Sequence, residues 1–288
     1  MRAFQKSPIS VARAFECGFL RASHFDANWH FHPEYQLFIV LKGTGTRFVG
    51  DHVQPFKAGD LVLTGPNLPH LWRSDQEYFE GDKQLWTEGV VIYFPENFFA
   101  NQFLEKIETY SIRQLLIRST RGISFRGKTA EKVQRTMLSL LSKRDFDSVL
   151  QLLKILHVLA ESDEYVLLAN PGYTNSLKES DTERMNKVHA YVMKNFREKI
   201  TLNEVAALAN MTPSSFSRYF KTHANKTFSE FLAGIRIGYS CKLIIEKKMN
   251  ITQTCYDSGF NTLSNFNRQF KALTQFTPME YRRRYVGL

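Results

Sequence analysis

From residue 202 onward the apolar positions recur at three- and four-residue spacing, and the whole pattern is then written a second time. LNEVAALANM (202–211) lies over ITQTCYDSGF (251–260) at an offset of 49, FSRYFK (216–221) over FNRQFK (266–271) at 50, and KTFSEF (226–231) over FTPMEY (276–281) at 50. Two copies with one inserted residue make a duplicated unit, not a solenoid. Each copy opens on a helix start. Thr201 and Glu204 have capping-box spacing, and Asn250 with Gln253 is a less ideal version. Leu202, Val205 and Ala206 fall on one face of a short helix, as do Ile251, Thr254 and Cys255, and Ala206 and Cys255 are small enough for a second helix to cross close by. Asn210 and Gly259 follow, the residue types that best tolerate a left-handed turn. A second helix then begins, capped by Thr212 with Pro213 at its first position in copy one and by Asn261 or Thr262 in copy two.

On this second helix Phe216 and Phe220, and likewise Phe266 and Phe270, are spaced to enter a core. The opposite face carries Ser214, Ser217, Arg218 and Lys221 in one copy and Ser264, Asn267, Arg268 and Lys271 in the other. Short polar side chains let a helix enter the major groove, a guanidinium reaches guanine or phosphate, and an ammonium serves the backbone. The competing reading is a solvated face on an ordinary helix pair. Between the copies, Thr227 and Glu230 cap a connector helix whose Phe228, Phe231, Leu232, Ile235 and Leu243 keep the apolar pattern to about Lys247. Two recognition helices on a rigid connector can enter major-groove faces about 34 Å apart, one turn of B-DNA.

The first half is patterned differently. YQLFIVLKG, GTRFVG, GDLVLTGP and LWTEGVVIYF are short apolar runs between Gly and Pro, which predict a small antiparallel barrel over residues 20 to about 95. From Glu96 to about Glu161 the period becomes helical, and VQRTMLSLL and FDSVLQLLKILHVL are two amphipathic helices joined by the turn SKRD. They are expected to pack on their own barrel. The Pro, Gly, Ser and charge mixture of LLANPGYTNSLKESDT reads as a linker. The expected organisation is therefore a β-barrel with appended helices over 1–165, a linker over 166–182 and an all-α domain of two helix-turn-helix units over 183–288.

Charge sharpens this division. The net charge is +10, and residues 183–288 hold 17 Lys and Arg against 7 Asp and Glu, so the remaining 21 basic and 21 acidic groups cancel in the first 182 residues. A basic unit joined to a neutral one points to a polyanion partner for the first and another ligand for the second. No apolar run is long enough to span a bilayer, and the N-terminus lacks the pattern of a secretory signal, so no membrane partner and a cytoplasmic location are expected. Cys17, Cys241 and Cys255 have no metal or disulfide spacing and read as small buried hydrophobes.

With these motifs in place, residues 184–285 resemble the DNA-binding domain of AraC/XylS-type transcription regulators, most specifically in SGFNTLSNFNRQFK and the closing FTPMEYRRRY. The resemblance implies DNA contacts from Ser214, Ser217 and Arg218 in the first unit and from Thr262, Leu263, Ser264, Asn265 and Arg268 in the second. Asn210 stands where a Gly is typical, Thr254 where an aliphatic is, Cys255 in place of Ala and Gln275 in place of Gly. None of these departures removes a groove-facing charge. In the N-terminal half, His30, His32, Gln36 and Gly43 resemble the first cupin motif, and FKAGD followed by PNLPH, ending at His70, resembles the second.

Metal-binding cupins converge two histidines, a Glu and a later His on one ion, and here Gln36 stands where that Glu would be. The expectation is accordingly a ligand-sensing barrel with no metal and no cofactor, and with Trp29, His30, His32, Gln36, Arg47, His70 and Trp72 lining the effector pocket. A sugar or other small polar metabolite is the effector class the resemblance suggests. The chain is thus expected to be a homodimeric, effector-responsive DNA-binding regulator and not an enzyme. The alternative is a metal-dependent cupin enzyme fused to a DNA-binding domain.

Overall fold

The structure, a computed structural model, describes residues 9–10, 12–26, 28–81, 84–171, 173, 179–246 and 249–286. The chain forms two compact units with the break between them after residue 175. Part of the predicted linker, 174–178, and the predicted connector end at Lys247 lie outside the described residues.

The first unit begins with β1 (Glu16–Ala22), β2 (Tyr35–Lys42), β3 (Gly45–Val49), β4 (His52–Phe56), β5 (Leu61–Thr64), β6 (His70–Ser74) and β7 (Thr87–Phe94). It continues through α1 (Asn101–Leu104), α2 (Tyr110–Ser119), β8 (Ile123–Phe125), α3 (Gly127–Leu140), α4 (Asp145–Ala160) and β9 (Tyr165–Leu167). One sheet has the order β1-β7-β2-β5-β8-β9 and the other β4-β3-β6. The registers put Gln36 opposite both Thr64 and Tyr93, and Arg47 opposite Trp72.

The central strands of the larger sheet are apolar on both faces, because both are covered. Phe38, Val40, Val62 and Val91 pack with Val49, Phe56 and Trp72 of the smaller sheet. Leu37, Ile39, Leu61, Leu63, Val90 and Ile92 pack instead against Val133 and Met137 of α3 and Leu152, Ile155, Leu156 and Leu159 of α4. Period-two alternation thus sends Gln36 to the face between the sheets and Leu37 to the helices.

The structure corrects the sequence reading at the edges of this unit. The stretch from Glu96 to Glu161 is not all helical, since β8 interrupts it and pairs with β5 and β9. The linker does not begin at residue 166. β9 closes the edge of the sheet, Leu168 N–H donates to Gly122 O, Ala169 N–H donates to Arg121 O, and Ala169 is fully buried. Three-residue strands leave too short a run for periodicity to register.

The second unit is helical: α5 (Glu179–Asn195), α6 (Leu202–Leu208), α7 (Pro213–Ala224), α8 (Phe228–Glu246), α9 (Ile251–Asp257), α10 (Leu263–Thr274) and α11 (Pro278–Val286). Duplication holds down to cap chemistry. Thr201 and Glu204 form the full capping box, and Thr212 and Thr262 accept from the N–H groups of Ser215 and Asn265. Thr227 with Glu230 and Thr277 with Glu280 cap α8 and α11 by reciprocal bonds. Asn250 Oδ1 accepts from Gln253 N–H, but the Gln253 side chain turns to Asp257, so this box is only half made.

The hydrogen bonds from Thr201, Thr227 and Thr277 hold the Glu204, Glu230 and Glu280 carboxyls below their ordinary value of 4.5. A carboxyl lowered on folding contributes stability that is complete above its unfolded value and disappears as pH falls through its folded value. Glu230→Gln is therefore expected to make melting temperature fall less steeply with pH below about 4.5 than in the parent protein. An unchanged slope would contradict the capping role.

Candidate functional site

Each helix-turn-helix turns on a left-handed residue, Asn210 with φ 54° and Gly259 with φ 84°. At 259 a Cβ would stand 2.7 Å from the Phe196 carbonyl oxygen, so Gly is required there for space as well as for φ. The recognition helices end the same way, on Asn225 (φ 52°) after α7 and Gln275 (φ 66°) after α10. Asn210 and Gln275, both in places where Gly is typical, thus adopt the conformation that a Gly would supply.

Phe216, Phe220, Phe266 and Phe270 are all fully buried. Ring centroids are 5.5 Å apart within each pair, and each second Phe meets a ring from the following helix: Phe220 with Phe231 at 5.2 Å and Phe270 with Tyr281 at 5.4 Å. Burial of these rings fixes which side of each helix faces outward. Ser214, Ser217, Arg218 and Lys221 of α7 are exposed, as are Thr262, Ser264, Asn265, Asn267, Arg268 and Lys271 at and along α10.

Leu263 differs from the other predicted contacts, being half-buried against the core beneath α10. The Thr262 hydroxyl is occupied as the N-cap, and Arg268 donates to Asn265 Oδ1 at 3.0 Å, a bond that preorients the guanidinium. Ser217, Arg218 and Lys221 share one cleft of about 650 Å³ with Asn265 and Gln269, so both recognition helices border it. Leu202, expected in the core of α6, lines this cleft and is 37% exposed. Arg236 was not legible as a site residue. Its guanidinium leaves α8 to donate to the Phe196 and Glu198 carbonyls, which holds the loop before α6.

In the first unit the seven predicted pocket residues fall into groups that meet where the His70 and Trp72 ring centroids lie 5.9 Å apart. Trp29 is buried edge-on against Phe48, with centroids 6.2 Å apart. Arg47 is buried and ion-paired with Asp60, whose other oxygen accepts from Trp72 Nε1 at 3.1 Å. Asp60, at the end of the FKAGD motif, is the carboxylate that sequence reasoning passed over, although a buried Arg requires such a partner.

His30, His32, Gln36 and His70 form the other group. His30 and His32 precede β2 in irregular chain, and His30 is placed by an isolated bridge to His70. The ring centroids of His70 lie 4.6 Å from His30 and 5.0 Å from His32. Gln36 Oε1 stands 3.1 Å from Nε2 of His32 and 3.1 Å from Nε2 of His70. Burial lowers the pKa of His30, and burial together with the neighbouring His30 and His32 holds His70 well below the ordinary range, so these two rings are neutral at pH 7. Glu34, also missed, is buried with Oε2 3.3 Å from His32 Nδ1.

The cysteines read as small hydrophobes are free thiols. Cys241 and Cys255 are buried, Cys17 is half-buried, and burial pushes Cys17 up to about 11 and Cys241 up to about 12. Among the described residues no helix is long and apolar enough to cross a membrane.

Comparison with known proteins agrees with both halves. Residues 205–284 match the helix-turn-helix domain family and residues 20–80 the cupin domain family. The HTH-type transcriptional regulator YdeC of Bacillus subtilis (strain 168) is 31% identical over 102 residues, which is 35% of this chain and 35% of that protein's own length. The Msm operon regulatory protein of Streptococcus mutans is 21% identical over 90% of this chain and 88% of its own, and the HTH-type transcriptional activator RhaS of an Enterobacter species is 22% identical over 88% and 86%.

Proposed function

We propose that this chain, which carries an AraC-type helix-turn-helix domain and a cupin domain, is a cytoplasmic, sequence-specific regulator of transcription. Its cupin-like unit takes a small effector, and its duplicated helical unit reads DNA. The observation that carries this reading is the pair of helices α7 and α10. Each buries two Phe and exposes one Arg and one Lys at the same positions, fifty residues apart. A basic, polar face on a helix whose opposite side is fixed in a core is what major-groove entry needs.

The effector acts by a population shift between two arrangements of the regulator, for which it must bind one arrangement better than the other. A homodimer is supported by Phe146 and Leu150 of α4, 68% and 50% exposed, which put apolar surface on the outer side of the helix layer. The histidine cluster is the observation that would favour a metal-dependent enzyme. Relatives matched over nearly the whole chain are named as regulators, which supports a regulatory use of the same unit.

The test is fluorescence anisotropy of duplex DNA against the full-length protein over a salt series. Arg218, Lys221 and Lys271 on phosphate would give a slope of log K on log salt of about −2.7 or steeper. Sequence preference should survive competition by unrelated DNA. A flat salt response, or equal affinity for every sequence, would overturn the reading.

A further inference from the structure

Not every cation of the second unit is duplicated. An offset of 50 carries Arg218 onto Arg268, but it carries Arg236 onto Val286, a residue type whose side chain has no hydrogen bond to give. Arg236 is therefore not part of the repeated device, and its contacts show what it serves instead. It stands on α8, the connector between the copies. Its Nε donates to the Phe196 carbonyl and its Nη2 to the Glu198 carbonyl, each at 2.7 Å, while its guanidinium carbon lies 5.8 Å from the centre of the Phe260 ring. Phe196 and Glu198 belong to the loop that leads into α6 and the first helix-turn-helix, and Phe260 to the turn between α9 and α10 of the second.

Around this contact the loop and the turn close on each other. Arg197 Nε donates to the carbonyl of Asp257, the last residue of α9, at 3.0 Å, and its guanidinium lies 5.8 Å over the Tyr239 ring of α8. The Phe196 ring meets the same Tyr239 edge-on, with centroids 5.1 Å apart. Gly259 completes the seat. A Cβ there would stand 2.7 Å from the Phe196 carbonyl oxygen and 2.8 Å from that of Arg197, so the loop of the first copy lies directly on the left-handed turn of the second. Residues 60 positions apart in sequence are thereby fastened to each other and to the middle of α8.

A single rod between two bodies fixes their distance but leaves each free to turn about its end, because every loop residue has two soft dihedrals. Fixing the angle takes a second tie, and the loop 196–199 is one. We infer that Arg236, with the loop it holds, is the gauge that sets the relative position of α7 and α10, and so the number of base pairs a target must place between its two boxes. This rests on the reading of those helices as DNA readers. Arg236 is a positioning residue, acting on DNA through the backbone it holds. One extra base pair moves the second box by about 3.4 Å and turns it by about 34–36° around the duplex axis. A reader tied at two places cannot follow that turn and loses the contacts of one box, whereas a reader free to pivot keeps them.

The experiment measures the affinity of the full-length protein for the duplex recovered by selection, and for the same duplex with one base pair inserted between the boxes. In the parent protein the insertion is expected to weaken binding about 10-fold or more, since the second box no longer binds as an intramolecular event. Arg236→Ala is expected to bring the two affinities within about 3-fold of each other, with the sequence preference of each box retained. Arg236→Lys keeps the charge but lacks the planar fork that spans two carbonyls, so its spacing preference should resemble that of the Ala variant. Arg197 is exposed and outside the apolar cores, so Arg197→Ala should narrow the ratio in the same direction even if Arg236→Ala folds poorly.

A parent protein indifferent to the insertion, or a penalty as steep in all three variants as in the parent, would overturn the gauge and leave the regulator reading standing. An equal loss of affinity at both spacings would reduce Arg236 to a residue of stability and overturn it too. A salt slope shallower by about 0.9 in Arg236→Ala but not in Arg236→Lys would make it a phosphate contact instead. Failure of the parent to select any two-box duplex would overturn the regulator reading, and the gauge with it.

Discussion

Replacing Phe266 by Ala is expected to destabilise the second helix-turn-helix by about 3–5 kcal/mol, because the ring is fully buried and a cavity would remain. The loss is large for a structural reason. Phe266 is held between Phe260 at 5.3 Å and Phe270 at 5.5 Å, and it shares a core with Ile237, Cys241 and Ile244 of α8 and Cys255 of α9. Helices α8, α9 and α10 thus meet around the Phe266 ring. Denaturant unfolding should show the shift, and hydrogen exchange should place it in α9, α10 and α11 while leaving α6 and α7 less affected. Arg268→Ala, two residues along the same helix but on the exposed face, should change stability by no more than about 0.5 kcal/mol. If both variants were equally stable, the division of this helix into a core face and a reading face would be wrong.

Arg218→Ala and Arg268→Ala should each weaken specific DNA binding by about 1–3 kcal/mol, roughly 5- to 150-fold, without loss of fold. The two losses should not be alike in kind. Arg268 is preoriented by Asn265 Oδ1 at 3.0 Å, a geometry suited to reading a base edge, whereas no side-chain bond to Arg218 is recorded among the described residues. The Arg268 variant is therefore expected to relax sequence preference at one position, and the Arg218 variant to lose affinity more evenly across sequences. Binding measured against a panel of single-base changes distinguishes these outcomes. Unchanged affinity in both variants would remove the assignment of these faces.

How far the sequence foretold this structure depended on the length of each pattern. The duplicated unit was legible almost residue by residue, because Phe216, Phe220, Phe266 and Phe270 repeat at a fixed offset and Thr201, Thr212 and Thr227 announce helix starts by chemistry. Strands such as Tyr35–Lys42 and Thr87–Phe94 are long enough to show as apolar runs. β8 and β9, three residues each, are not, and they form only because the edge of a larger sheet accepts them. The histidine cluster was legible through motif order, whereas its geometry was not, because bends and a bridge to His70, local features without periodicity, bring His30 and His32 inward. Glu34 and Asp60 sat inside the quoted motifs and were passed over, since burial of a carboxylate is decided by partners such as His32 and Arg47 that are distant until the chain folds.

The central claim is that one chain reads two adjacent stretches of DNA with two copies of the same device. Selection of random duplexes by the full-length protein at about 0.15 M salt tests it most directly, because non-specific binding is weakened there. The account predicts a motif of two boxes centred about 10–10.5 base pairs apart, with one position of one box relaxed by Arg268→Ala and recovery lowered without change of motif by Arg218→Ala. A single box, or a recovered pool with no shared sequence, would contradict it.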